Sequence, residues 1–440
     1  MVHSLNTKIM KKAEKLLLFA LALLATSCDV GLDGLNNFTV PMAVGNEYNE
    51  YEENPFISTE EQPISTFSVD ADGGSYTSVR RLIQQEKTFP PNAAIRSEEF
   101  INYFDLDYEY TPSEHPISLN GEVATCPWNT EHKMIRVGIQ GEPLSNRPPS
   151  NFILLIDVSG SMQGDDRLSL LKEGFMKFAD HMQPEDRLAI VTYAGSSRVV
   201  LESTPGTNKA RIKQGIQSLG AGGGTAGAEG IETAYEIAEQ NFIEGGNNRI
   251  LIGTDGDFNV GPSSQEELID LIEEKRDLGV FLTVLGVGYG NYRDGPLEQI
   301  ANKGNGTYEY LDKPEQLEKV FFHEYSKFFT VAKDVKVQVA FNPEQVAEYR
   351  LIGYENRLLE ESDFENDSTD AGEIGADQNI TALYEIKPAN NAVARNDPAF
   401  TIDFRYKKPD SDSSQPMSLE VFDEENSFEQ ASSQLHLVAS

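Results

Sequence analysis

Ile153-Leu154-Leu155-Ile156-Asp157-Val158-Ser159-Gly160-Ser161-Met162 decides how this chain is read. An apolar run of strand length stops at an aspartate, and two serines follow, two and four residues beyond it. A buried strand delivers such a triplet to a tight loop at its carboxyl end, which is where open α/β sheets bind ligands. One carboxylate and two hydroxyls turned toward one point are oxygen ligands for a hard divalent cation.

Outward from that stretch, residues 150 to about 330 alternate strand and helix patterns. The predicted strands are Phe152–Asp157, Leu188–Tyr193, Val199–Leu201, Arg249–Thr254, Phe281–Val287 and Thr307–Leu311. The predicted helices are Leu168–Met182, Lys209–Leu219, Ala228–Phe242, Gln265–Leu278, Pro296–Asn302 and Pro314–Phe329. In the third of these, Ile231, Tyr235, Ala238 and Phe242 form one stripe, with Glu232, Glu236 and Glu239 mostly outside it. Apolar strands alternating with amphipathic helices predict an α/β fold with a doubly wound, mostly parallel sheet covered on both faces.

Two more segments have chemistry that matches the triplet. Gly222-Gly223-Gly224-Thr225 precedes a helix, giving a backbone free to bend and a hydroxyl at the bend. Arg249-Ile250-Leu251-Ile252-Gly253-Thr254-Asp255 is a second strand that ends in an aspartate. Neighbouring strands would bring Asp157 and Asp255 to one crevice. The order Asp157-x-Ser159-x-Ser161, Thr225, Asp255 resembles the metal-ion-dependent adhesion site of a von Willebrand factor type A domain. Thr225 follows Ser161 by 64 residues, and Asp255 follows Thr225 by 30.

The resemblance extends to a bacterial subfamily of exported type A proteins. It is carried by Ser65-Thr66-Phe67-Ser68-Val69-Asp70 with Ser75-Tyr76, Glu99-Phe100-Ile101-Asn102-Tyr103-Phe104 and Pro127-Trp128-Asn129. Within the domain it is carried by Thr254-Asp255-Gly256-Asp257-Phe258-Asn259-Val260-Gly261. Beyond the domain, Tyr349-Arg350-Leu351-Ile352-Gly353-Tyr354-Glu355-Asn356-Arg357 and Thr381-Ala382-Leu383-Tyr384-Glu385 match its carboxyl-terminal region. It covers roughly residues 64 to 406. The subfamily usually closes with an apolar helix rich in Ala and Phe. Here Phe428 to Ser440 is short and polar, so a truncated or frameshifted end is expected.

The resemblance implies a non-enzymatic module that binds protein through Mg²⁺, with Mn²⁺ or Ca²⁺ as substitutes. Ser159, Ser161 and Thr225 would supply neutral oxygens, and Asp157 and Asp255 the charge. Few direct carboxylates leave the ion electrophilic, so a partner's Asp or Glu can fill an open position. Two other classes stay open: a metal-dependent hydrolase using Asp157, and a purely structural envelope protein. Catalysis finds little support. No Gly-x-Ser-x-Gly elbow occurs, and His115, His132, His181, His323 and His436 are scattered.

Alternatives attend the individual motifs. Aspartate ends many strands as a helix cap or turn former. Asp255-x-Asp257-x-Asn259 mimics the start of an EF-hand loop, but Gly261 falls at the seventh place and a strand precedes it. The acidic loop Asp363 to Asp377 could hold Ca²⁺, and a solvated surface is the expectation. Trp128, the single tryptophan, is expected to pack the first region onto the sheet.

The amino terminus reads as a targeting signal. Lys8, Lys11, Lys12 and Lys15 precede ten apolar residues, Leu16 to Ala25, too few to span a bilayer. Ala25-Thr26-Ser27-Cys28 resembles a lipobox, with Ala25 where a branched apolar residue is usual. The expectation is a signal peptide over 1–27, lipidation at Cys28 and a membrane-anchored lipoprotein of the bacterial envelope. Met10 would make a more typical start than Met1. Cys126 is then the other cysteine, expected buried, and no intrachain disulfide can form.

Residues 28–63 read as a flexible tether, 64–148 and 331–406 as strand-rich regions, and 407–440 as a polar, disordered tail. The two strand-rich regions are expected to form one β-domain, because the ends of the central domain can emerge together. A formal charge of −35 and a pI of about 4.5 argue against nucleic acid, which needs a basic surface, and favour attraction for cations.

Overall fold

The computed structural model describes residues 48, 51–69, 72–224, 227–256, 265–290, 294–389 and 397–440. The expected signal peptide, Cys28, Thr225 and the Asp257–Asn259 loop lie outside the described residues.

In chain order, β1 (Ile57–Ser58) and β2 (Ile64–Ser68) precede α1 (Gly74–Arg81), which runs into a π-turn over Leu82–Glu86. Helix α2 (Ser97–Asn102) and strands β3 (Ile117–Thr125) and β4 (Lys133–Gly141) complete the first region. The centre begins with β5 (Ser150–Asp157), α3 (Leu168–His181), β6 (Arg187–Tyr193) and β7 (Ser197–Pro205). It continues through α4 (Lys209–Gln217), α5 (Gly227–Gln240), β8 (Asn247–Thr254) and α6 (Gln265–Asp277). It ends with β9 (Val280–Val287), α7 (Asp294–Lys303), β10 (Tyr308–Leu311) and α8 (Pro314–Glu318). The last region holds β11 (Thr330–Phe341), β12 (Val346–Ile352), β13 (Gly372–Gly375), β14 (Asn379–Pro388), β15 (Phe400–Lys407), β16 (Ser414–Val421) and α9 (Ser433–Val438).

The central sheet has the order β10-β9-β8-β5-β6-β7. Its pairs are parallel except β6 with β7, which run antiparallel. All eight residues of β5 are buried. Side-chain alternation divides them: Phe152, Leu154 and Ile156 pack with Leu171, Phe175 and Phe178 of α3, while Ile153 and Leu155 pack with Ile231, Ala234 and Tyr235 of α5. A strand covered on both faces reads as a continuous apolar run for this reason.

The flanking regions build one β-sandwich. One sheet has the order β1-β12-β14-β4-β3, and the other β13-β11-β15-β16, with β2 also on β11. Strands from opposite ends of the chain pair directly: Ile135 of β4 with Tyr384 of β14, and Phe67 of β2 with Val337 of β11. Phe67, Ile135, Val137, Val337, Tyr384 and Phe404 share a single core. Both crossings into the central domain lie at the amino ends of its strands. There Asn247 N donates to Pro149 O (3.0 Å), and Arg249 Nη2 donates to Thr330 Oγ1 (3.0 Å).

Several expectations are corrected. The tether over 28–63 contains β1, which pairs with β12, and Thr59 Oγ1 donates to Val346 O at 2.6 Å. The tail over 407–440 is ordered. Met417, Leu419 and Val421 alternate with exposed Pro416, Ser418 and Glu420 in β16, a period the polar composition hides. Leu435 of α9 is fully buried beside Ala124, Cys126 and Met134. The acidic loop is not all solvated: it holds β13, and Asp370 pairs with Arg276 (2.7 Å) and Lys303 (3.1 Å). Among the described residues, no three His, Cys, Asp or Glu side chains cluster as a metal site. The helix predicted over Pro314–Phe329 stops at Glu318, then continues as a π-turn and a 3₁₀ turn. Phe242 falls beyond α5 and is exposed, and Trp128 is 51% exposed instead of packed. Cys126 is free and buried, and burial pushes its thiol up from the usual range.

Candidate metal centre

The carboxyl ends of β5 and β8 carry the candidate ligands. The β5 run ends at Asp157, and β8, its parallel neighbour, ends at Thr254 just before Asp255. Asp157 is fully buried and Asp255 is 7% exposed. Asp157 Oδ1 accepts from Ser159 N at 2.8 Å, an Asx-type turn that folds the loop back over the carboxylate. Asp157 Oδ2 faces Thr254 Oγ1 at 3.4 Å. The Ser159 and Ser161 hydroxyls lie 2.9 Å apart. Two hydroxyl oxygens at hydrogen-bond distance can face one cation together.

Burial raises the Asp157 carboxyl to about 6, with the Asp255 charge adding and the Ser159 and Thr254 hydrogen bonds opposing. Burial also raises the Tyr193 phenol, with the Asp157 charge adding to the effect. The donor set suits a hard cation. Asp255 Oδ1 is buried and has no hydrogen-bond partner among the described residues. Native proteins seldom leave such an oxygen unmatched. A divalent cation held by Asp157, Ser159, Ser161 and Asp255 would match it and offset the like charges.

The glycine-rich loop lies against this loop. Gly222 N donates to Val158 O (2.7 Å), and Gly160 N donates to Gly223 O (3.1 Å). Gly223 has φ +110°, a conformation that favours glycine. These bonds bring Gly222 and Gly223 to the Asp157 turn. Thr225 lies outside the described residues.

Sequence reasoning missed the groups that brace these loops. Arg167 Nη1 donates to Ser161 O (2.5 Å), Arg167 Nη2 donates to Tyr289 O (2.7 Å), and Nη1 lies 4.0 Å from Asp255 Oδ2. One guanidinium thus ties the loops after β5, β8 and β9. An arginine six residues past Ser161 has no distinctive spacing, so nothing in the chain marked it. Thr254 could have been noted, since it adjoins Asp255.

Comparison with known proteins agrees with this architecture. Residues 152–257 match the family profile described as von Willebrand factor type A domain, and 43–136 match the one described as von Willebrand factor. Residues 326–440 match the profile described as uncharacterized protein YfbK, C-terminal. The chain is 42% identical to uncharacterized protein YfbK of Escherichia coli over 349 residues, 77% of this chain and 60% of that protein. It is 26% identical to uncharacterized protein sll0103 of Synechocystis, over 47% of this chain and 48% of that protein. It therefore spans less than two thirds of either relative. A solved von Willebrand factor type A protein from Catenulispora acidiphila aligns at 17% identity and TM-score 0.43, covering 72% of this chain and 76% of its own. Domains of this type are generally non-enzymatic adhesion or protein-interaction modules. The chain is a von Willebrand factor type A domain protein with a carboxyl-terminal extension.

Proposed function

We propose that this protein binds another protein through a divalent cation at the carboxyl edge of its central sheet. Asp157, Ser159, Ser161 and Asp255 would hold the ion, with Thr225 as the fifth donor, and Mg²⁺ suits the set best. The bound ion would supply an open position for the carboxylate of a partner's Asp or Glu. The observation that supports this most is the buried Asp255 Oδ1, unmatched among the described residues, together with the paired Ser159 and Ser161 hydroxyls. Hydrolysis through Asp157 is the weaker reading. That carboxylate is fully buried and its oxygens already face Ser159 N and Thr254 Oγ1.

The place of action in this proposal is the bacterial envelope, with lipid on Cys28 as the anchor. The basic and apolar pattern of residues 8–28 supports it. Among the described residues, no helix is long and apolar enough to cross a membrane.

Calorimetric titration of the full chain with Mg²⁺ tests the site. Wild type binds, and Asp157→Ala loses measurable binding while its circular dichroism spectrum is unchanged. Equal Mg²⁺ affinity in the two proteins would sink the proposal. EDTA separates bridging from a structural role: it releases a captured partner if the ion bridges, and lowers only the melting temperature if the ion merely holds loops.

A further inference from the structure

We propose that Arg81, on α1 and outside the central domain, is a positioning residue of the metal centre. The proposal rests on reading Asp157, Ser159, Ser161 and Asp255 as the cation's ligands. It makes the flanking region part of the site's support.

Helix α1 lies along the β10 edge of the central sheet. At its start, Tyr308 N donates to Asp72 Oδ1 (2.9 Å), and a Cβ on Gly74 would meet the Tyr308 ring at 2.5 Å, so only glycine lets the helix sit this close. At its end two arginines diverge. Arg80 anchors the helix away from the metal loops: Nε donates to Asp312 Oδ2 (2.9 Å), and Nη1 donates to Tyr103 Oη (2.7 Å).

Arg81 turns toward the metal loops, with its side chain 7% exposed. Its Nη2 donates to Asp166 Oδ2 at 2.8 Å, in the loop that carries Ser159 and Ser161. Its guanidinium lies 5.3 Å from the Tyr289 ring centre, in the loop after β9. Its Nη1 donates to Tyr310 Oη (3.3 Å), which donates to Gly288 O (2.6 Å). Arg81 therefore grips Asp166, next to Arg167 in the chain, and also the Gly288–Tyr289 turn against which Arg167 rests.

Arg167 has little room between them. Gly288 has φ +81°, and a Cβ there would come within 2.5 Å of Arg167 Nε. Arg167 in turn fixes the carbonyls of Ser161 and Tyr289. The Asp166 side chain is 42% exposed, so the Arg81 pair contributes little attraction by itself. Its contribution is geometric: it holds two loops so that the Ser161 hydroxyl is aimed before the ion arrives. Groups bonded directly to metal ligands commonly change affinity by about 10–100-fold, and Arg81 acts one step further out, through Arg167.

The test is Mg²⁺ calorimetry with thermal melts in EDTA on the full chain, for wild type, Asp157→Ala, Arg80→Ala, Arg81→Ala and Asp166→Ala. Expected is a loss of about tenfold in Mg²⁺ affinity for Arg81→Ala, at the low end of that range. Asp166→Ala removes the same pair from the other side, weakens binding likewise, and serves if Arg81→Ala fails to fold. Arg80→Ala lowers the EDTA melting temperature and leaves Mg²⁺ affinity unchanged. Wild-type affinity in Arg81→Ala and Asp166→Ala overturns this proposal and leaves the metal reading intact. So does an equal loss in Arg80→Ala, which would mean that only helix docking matters. Failure of wild type itself to bind Mg²⁺, or equal binding by Asp157→Ala, overturns both.

Discussion

The central sheet and the sandwich bury similar side chains by different means. In β5, Phe152 to Ile156 are covered by helices that follow within the same domain, so a five-residue apolar run announces the strand. In the sandwich, the partner of β2 is β11 and the partner of β4 is β14, more than two hundred residues away. Such strands depend on neighbours that no local window contains. The doubly wound half of a chain can thus be read from its own residues, while a sandwich assembled from both chain ends needs its pairing to be known.

Substitutions can test that difference. The largest effect is expected at Phe67, on β2, which is fully buried edge-to-face with Tyr354 at 5.1 Å. Phe67→Ala removes the amino-terminal plug of a core supplied mainly from downstream. It should cost about 3–5 kcal/mol in urea unfolding. A cost near zero would mean that the sandwich core does not need its amino-terminal strand.

A smaller effect is expected at Gly230 of α5. A Cβ there would meet Tyr193 Cβ at 2.8 Å and Leu155 Cδ1 at 3.2 Å. Gly230→Ala should push α5 off β5 and β6 and cost about 1–3 kcal/mol by the same assay. A gain in stability, as for an ordinary exposed helical glycine, would show that the helix and sheet are less closely fitted than the distances state.

The smallest effect concerns Ser432. Its Oγ accepts from Leu435 N (3.1 Å) and donates to Glu122 Oε2 (2.5 Å), capping α9 onto β3. Ser432→Ala should cost about 1 kcal/mol at neutral pH. Burial alone would raise the Glu122 carboxyl, but hydrogen bonds from Ser432 and the Arg136 charge hold it below the ordinary value of 4.5. A folded-state value below the unfolded one stabilises the protein above that pH, and this part is lost as pH falls through it. The deficit of Ser432→Ala should therefore narrow in acid. A deficit independent of pH would remove Glu122 from the account.

The same contrast explains what was legible in the sequence. The candidate set Asp157, Ser159, Ser161 and Asp255 can be assembled from the chain because residue type and strand position are both local. The structure joins the first three in one turn and sets Asp255 beside Asp157 on the neighbouring strand's end. Arg167 and Arg81 were not found, since their importance comes from what the folded loops place around them. Strand β16 escaped because Ser414, Pro416, Ser418 and Glu420 on its outer face outweighed Met417, Leu419 and Val421 on the inner one. The break after Glu318 escaped because Val320 and Phe321 keep a helical apolar pattern through the π-turn. Trp128 misled because aromatic size suggested a core residue, yet it sits on a bend with half its surface exposed.

The split construction of the sandwich also sets an order of events at the ribosome. Strand β4 ends at Gly141, and its partner β14 does not begin until Asn379. At about 5–20 residues per second, the early strands wait roughly 10–50 seconds for their mates while the intervening domain can already close. During that interval Val123, Ile135 and Val137 have no finished sandwich to enter.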